Sequence, residues 1–282
     1  MARSILAALL GAVLLLPSLI APGLADPAQW RSEWPETDFS RRSVPFHEIL
    51  AGGPPRDGIP AVDDPSFVPV AVTFCPLCNT GIVFDRRLDG GVLAFGTTGK
   101  LRNSDLVMYD RTTESWWQQF SGEAIVGELT GARLEMIPAR LESFARFKER
   151  APDGQVQVPR SPAPSYGHNP YVDYDSLAQP FLYIGPLPLD IAPLARVVRV
   201  GDQAWSLALL RERGEIRADD LPLTWQPGQA SALDTEVIAD GADVGNMVVE
   251  RRTADGWQDA VYSVDFAFAF HAFHPDGRLH TK

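Results

Sequence analysis

One stretch sets the terms for the rest of this chain: Val70 to Arg86, VAVTFCPLCNTGIVFDR, which holds both cysteines. Cys75 and Cys78 are separated by Pro76 and Leu77 and lie between two apolar runs, Phe67 to Phe74 and Ile82 to Arg86, each read as a strand. Asn79, after the second cysteine, tolerates the left-handed backbone that a tight turn demands. Two strands joined by such a turn lift both sulfurs to one side. That shape is half of a metal site, or a vicinal redox pair.

The compartment sharpens the question. Arg3 supplies a positive n-region, Ile5 to Leu16 an apolar core of 12 residues, and Gly23-Leu24-Ala25 a small-x-small cleavage site. Residues 1–25 therefore read as a secretory signal peptide, with export to the periplasm or the extracellular space. Gly11 and Pro17 interrupt the run, and no later run reaches the roughly 18 apolar residues of a membrane span. Loss of Arg3 leaves 24 basic residues, from 25 in the full chain, against 36 acidic ones, which disfavours nucleic acid and anionic membranes as partners. Two cysteines in an oxidising compartment pair unless chemistry keeps them apart. A bridge across so short a gap closes a small ring and stabilises little, so function explains the pair better than stability does.

Residues 26–66 read as an N-terminal arm and loop, and 67–282 as a single strand-rich domain, mainly β with two or three short helices. The arm, Asp26 to Phe46, is polar with Trp30 and Trp34 and no clear period, so it is expected to pack late. Ala51 to Asp64 is Gly/Pro/Asp-rich loop. Leu88-Asp89-Gly90-Gly91 predicts a hairpin turn. Gly96-Thr97-Thr98-Gly99-Lys100 superficially resembles a phosphate loop, but Ala94 stands where the first glycine belongs and Leu101 where the Ser/Thr belongs, so a tight turn is expected. Leu106 to Tyr109, Ser115 to Phe120, Ala124 to Glu128 and Arg133 to Ile137 predict an antiparallel meander, barrel-like or sandwiched. A helix is expected over 140–150. Pro-rich loops follow at Ser161 to Pro170 and Leu177 to Pro193, carrying Tyr166 and Tyr183, with Tyr171 and Tyr174 between them. Then come strands at Arg196 to Val200, Leu221 to Trp225 and Asn246 to Arg251, and a helix at Trp205 to Arg213. A half-buried closing strand is expected over Val261 to Phe273, on the alternation of Phe266, Phe268 and Phe270.

Two thiolates need further donors to complete a tetrahedral site. The chain offers five histidines, His47, His168, His271, His274 and His280. His168, in a Tyr-Gly-His-Asn-Pro loop, is the leading third ligand; its plain alternative is a backbone-satisfied loop histidine. His271 and His274 are otherwise surface or capping residues. Met108 suits copper(I) but equally suits a core. Copper or zinc is therefore the cofactor to expect. In the redox alternative Cys75 attacks and Cys78 resolves, yet the residues after Cys78 are strand formers, and no helix follows to activate a thiol. A third alternative is an interaction domain whose cysteines form a structural disulfide. Trp116 and Trp117 face opposite sides of a strand, Asp234, Asp240 and Asp243 match no calcium loop, and no Gly-x-Ser-x-Gly or His-Glu-x-x-His motif occurs. Whether the chain is an enzyme is open.

VTFCPLCNTGIVFDR, FGTTGKLRNSDLVMYDRTTESWWQQFSGEAIVG, YGHNPYVDYD, PGQASALD and FAFAFHAFHPDG together resemble one bacterial family of exported proteins, domain of unknown function 3179. The resemblance implies an exported globular protein with a shared Cys-Pro-Leu-Cys and no established activity. A family segment with a Tyr/Trp-rich helix and a His-Glu-Ile-Val-Asn-Asp run is missing here, since Asp64-Pro65-Ser66-Phe67 leads almost directly into the cysteine strand. Gly201 to Trp225 resembles a second copy of that unit.

Overall fold

The computed structural model describes residues 27–53, 56–57, 68–157 and 166–282. The expected signal peptide, much of the Ala51 to Asp64 loop and the start of the Ser161 to Pro170 loop lie outside the described residues. The first half runs α1 (Pro27–Glu33), β1 (Ile49–Ala51), β2 (Val70–Cys75), β3 (Thr80–Asp85), β4 (Phe95–Arg102), β5 (Asp105–Asp110), β6 (Trp116–Gln118), β7 (Glu123–Val126) and β8 (Met136–Ile137). One antiparallel sheet has the order β1-β4-β5-β6-β7, with Arg56–Asp57 added to β4; a second has the order β8-β3-β2.

The second half runs α2 (Phe144–Arg150), β9 (Arg196–Val200), β10 (Gln203–Ser206), α3 (Leu207–Arg213), β11 (Glu215–Ala218), β12 (Leu221–Gln226), β13 (Asn246–Thr253), β14 (Gly256–Asp259), β15 (Ser263–Phe266), α4 (Ala267–Phe273) and β16 (Arg278–His280). Its sheets have the orders β15-β9-β10-β16 and β11-β12-β13-β14. These pairings are antiparallel except that of β10 with β16. The protein is strand-rich as expected, and among the described residues no sheet closes into a barrel.

The alternation of β6 partitions the core. Trp116 and Trp117 are both fully buried, on opposite faces. Trp116 packs with Trp30, Trp34, Phe39 and Ile49, whereas Trp117 packs with Phe84, Met108 and Leu134. The arm is thus built into the core of this sheet. It forms α1, and its indoles stay edge-on to Trp116, with ring centroids 5.2 Å (Trp30) and 5.9 Å (Trp34) away.

Three local expectations are corrected. Gly96 to Lys100 is part of β4 rather than a turn; Gly99, at φ +72°, marks a register shift between Thr97 and Lys100. The helix expected from Trp205 begins at Leu207, where the Ser206 side chain accepts from Leu209 N, and the residues before it form β10. The closing strand stops at Phe266, and Ala267 to Phe273 is helical. Phe266, Phe268 and Phe270 alternate with alanines, which mimics a strand, but Ala267 and Ala269 are buried as well. With the first four residues of the helix all buried, that turn has no polar face to mark a helical period. Among the described residues there are four α-helices, against the two or three expected.

Candidate metal centre

β2 and β3 pair in register from Val70–Asp85 to Cys75–Thr80, so Cys75-Pro76-Leu77-Cys78-Asn79 is the turn of a tight hairpin. Asn79 takes φ +54°, the left-handed conformation its sequence position called for. The turn is clamped from the second half of the chain. Phe266 N donates to Cys78 O at 2.8 Å, and Asn79 Nδ2 donates to Val264 O at 3.0 Å. Thr80 Oγ1 donates to Asp265 Oδ1 at 2.9 Å, and Asp265 is paired with Arg199 at 2.9 Å. A buried ion pair and two backbone bonds thus fix the knuckle's position in the fold.

The hairpin joining β4 to β5 brings a third group to it. Asn103 and Ser104 both adopt positive φ, 52° and 62°, and the tight reversal sets Asp105 at the start of β5. Cys75 Sγ, Cys78 Sγ and a carboxylate oxygen of Asp105 all lie within 4.8 Å of one another, and all three residues are buried. Exposure is 2% for Cys75 and 0% for both Cys78 and Asp105. Both cysteines are free thiols. Two sulfurs on one tetrahedral zinc stand roughly 3.8 Å apart, from bond lengths of about 2.3 Å, so the spacing suits a shared ion.

The electrostatics of the group are unusual. Asp105 Oδ2 accepts from Gln118 Nε2 at 2.6 Å and from Phe120 N at 2.9 Å. Oδ1 is buried with no hydrogen-bond partner. The nearby Cys75 thiol helps lower the carboxyl's pKa without meeting Oδ1 in a regular hydrogen bond. Burial outweighs these favourable contacts and pushes Asp105 up to about 7. Burial also raises Cys78 far above the ordinary thiol range, helped by Cys75, Asp105 and Asp265. Burial thus favours the protonated forms of Asp105 and Cys78, and a cation shared with Cys75 would replace those protons.

The structure does not bring the other expected ligands to this group. His168 is exposed and forms an isolated bridge with Val237. His271 is half-buried within α4, and His274 caps that helix, its ring 5.3 Å from that of Phe270. Met108 is buried in the cluster around Trp117, apart from the one that contains the cysteines. It stands three residues from Asp105 on the same strand, hence on the opposite face. Asp105 was missed in the sequence because Asn-Ser-Asp reads as turn chemistry. The faint signal was an acidic residue opening the otherwise apolar LVMY strand.

Tyr174, between the two Pro-rich loops, and Phe181, in the second of them, pack over the knuckle. Tyr174 is buried, and its hydroxyl donates to Leu77 O at 3.0 Å and accepts from Phe181 N at 3.3 Å. Ser104 Oγ donates to Phe181 O at 2.5 Å. Phe74, one residue from Cys75, points to the opposite face, into a small open cleft that Asn79, Arg196 and Ser231 also line. Arg196 is already bonded there to Asp175 and Ser231. Asp243 accepts from Gly228 N, Gln229 N and Gly245 N, and Asp234 from Ala242 N, so these loop acids brace backbone.

Comparison with protein families finds a match to one described as "Protein of unknown function (DUF3179)" over residues 68–277. Neither a curated protein nor a solved structure matches the chain.

Proposed function

The chain belongs to the DUF3179 family, and from that premise we propose that it is an exported metal-binding protein whose ion is held by Cys75, Cys78 and Asp105. The observation that carries this reading is the convergence of two free thiols and one carboxylate, fully buried, with Asp105 Oδ1 lacking any partner. Trp34 Nε1, Trp116 Nε1 and Gln119 Oε1 are likewise buried without hydrogen-bond partners, but Oδ1 belongs to a carboxylate beside two sulfurs, where a cation would supply what it lacks. Export rests on the composition of residues 1–25; among the described residues no helix is long and apolar enough to cross a membrane.

The donor set favours zinc over copper(I). Two thiolates and a carboxylate suit a borderline divalent ion, whereas copper(I) prefers sulfur throughout and Met108 lies in another cluster. Three protein donors leave one tetrahedral position for water or an incoming group. A thiol–disulfide role is less well supported, because β3 follows Cys78 with no helix N-terminus, and burial suppresses the Cys78 thiolate.

Purified protein should contain one zinc per chain, with both thiols protected from a thiol reagent until a chelator is added. C75S, C78S and D105A should each lower the zinc content. Two freely reactive thiols with no bound ion would instead identify a redox pair, and an oxidised, metal-free protein would indicate a structural disulfide.

A further inference from the structure

We propose that Gln118 is the positioning residue of this site, orienting Asp105 so that Oδ1 alone faces an ion, and that Arg102 and Glu48 fix the direction of the Gln118 amide. This rests on the metal-binding reading above. Gln118 is 1% exposed. Its Oε1 accepts from Arg102 Nη1 at 3.4 Å, and its Nε2 donates to Asp105 Oδ2 at 2.6 Å. A guanidinium has donors only, so the amide oxygen must face Arg102 and the amide nitrogen must face Asp105. Arg102 is itself held by Glu48 Oε2, 2.7 Å from its Nε, and lies against the Phe273 ring at 5.7 Å. The chain of contacts runs from the partly exposed Glu48 inward to the carboxylate.

The second donor on Oδ2 is the backbone N–H of Phe120. With two donors, Oδ2 is occupied and tied to β6 and the residue that follows it. A network that served stability alone would also satisfy the second oxygen, because half-satisfied buried polar groups are costly. Here every member is paired except Asp105 Oδ1. Two N–H donors on one oxygen stabilise the ionised carboxylate that a metal needs and commit the other oxygen to the ion. Partners that orient a metal ligand in this way typically change affinity by about 10- to 100-fold.

The test is zinc affinity, measured by competition with a chromophoric chelator, together with the visible spectrum of the cobalt(II)-substituted protein. Gln118→Glu keeps the shape and the contact with Arg102 but replaces the donor at Oδ2 with an acceptor. It should lower zinc affinity about 10- to 100-fold and shift the cobalt ligand-field bands, while sulfur-to-cobalt charge transfer persists. Thermal melting of each metal-free variant beside metal-free wild type separates loss of the site from loss of the fold: the positioning role requires weakened zinc binding in a variant that still melts cooperatively. Arg102→Met, which frees the amide to flip, should weaken binding in the same direction, and Arg102→Lys should restore part of it. If Gln118→Glu and Arg102→Met both bind zinc within about twofold of wild type while Asp105→Asn does not, the site stands and the positioning role falls. If wild-type protein binds no zinc, the site falls as well.

Discussion

Asp105 is the residue on which the site's chemistry turns, and its protonation has a readable consequence for stability. In the metal-free protein the native carboxyl keeps its proton up to about pH 7, whereas the unfolded chain releases it from about pH 4. Between those values the native state binds more protons. Stability should therefore be greatest below about pH 4 as far as this group is concerned, fall as pH rises toward 7, and level off above it. The contribution is on the order of 4 kcal/mol, from about three pH units at 1.36 kcal/mol each. Asp105→Asn should flatten that slope in pH-dependent denaturant titrations of metal-free protein. Zinc affinity should show the opposite trend and strengthen with rising pH, because the ion displaces protons from all three ligands.

At the scale of elements, β15 holds the turn of the hairpin of β2 and β3. Asn79 combines a left-handed backbone with a buried bond to Val264 O. Asn79→Ala should cost about 2–3 kcal/mol, from αL strain and the lost hydrogen bond together. If the knuckle is oriented through this contact, zinc affinity should fall with stability. Tyr174→Phe removes the hydroxyl that bridges Leu77 O and Phe181 N on the covering segment. It should cost about 1–3 kcal/mol by chemical denaturation, since both backbone groups lose a partner. The hairpin itself was legible in the residues: β-branched runs, a Pro-x turn and an Asn suited to positive φ. Its clamp was not, because Val264 and Asp265 come from a distant part of the chain, 185 positions from their bonded partners, and read as an ordinary strand.

Across the whole molecule, the separate core clusters imply separable effects. Trp30 anchors the N-terminal arm against Trp116, at the far face of β6 from the Trp117 cluster. Trp30→Ala should lower stability by about 3–5 kcal/mol and leave zinc stoichiometry unchanged. Zinc should stabilise the entire fold by mass action, by about 2.7 kcal/mol at a free concentration 100 times Kd. For a chain of this size that is a melting-temperature rise of several degrees, reversed by a chelator. A ligand-independent melting temperature would contradict a site built only in the native state.

The amino-acid sequence by itself determined the strand-rich character, the tight cysteine hairpin and the opposed faces of Trp116 and Trp117. Each of these follows from local rules, period-two alternation and turn stereochemistry, that act within a few residues. Which group joins the sulfurs was decided by tertiary structure alone. Asp105 reaches them through a second hairpin, and Met108 is excluded by the parity of its strand. The helix from Ala267 to Phe273 was likewise hidden, because its first turn is buried and carries no polar face to mark the helical period. Ligands converge in space through packing and register, and neither is written in the spacing of His168 or His271 along the chain.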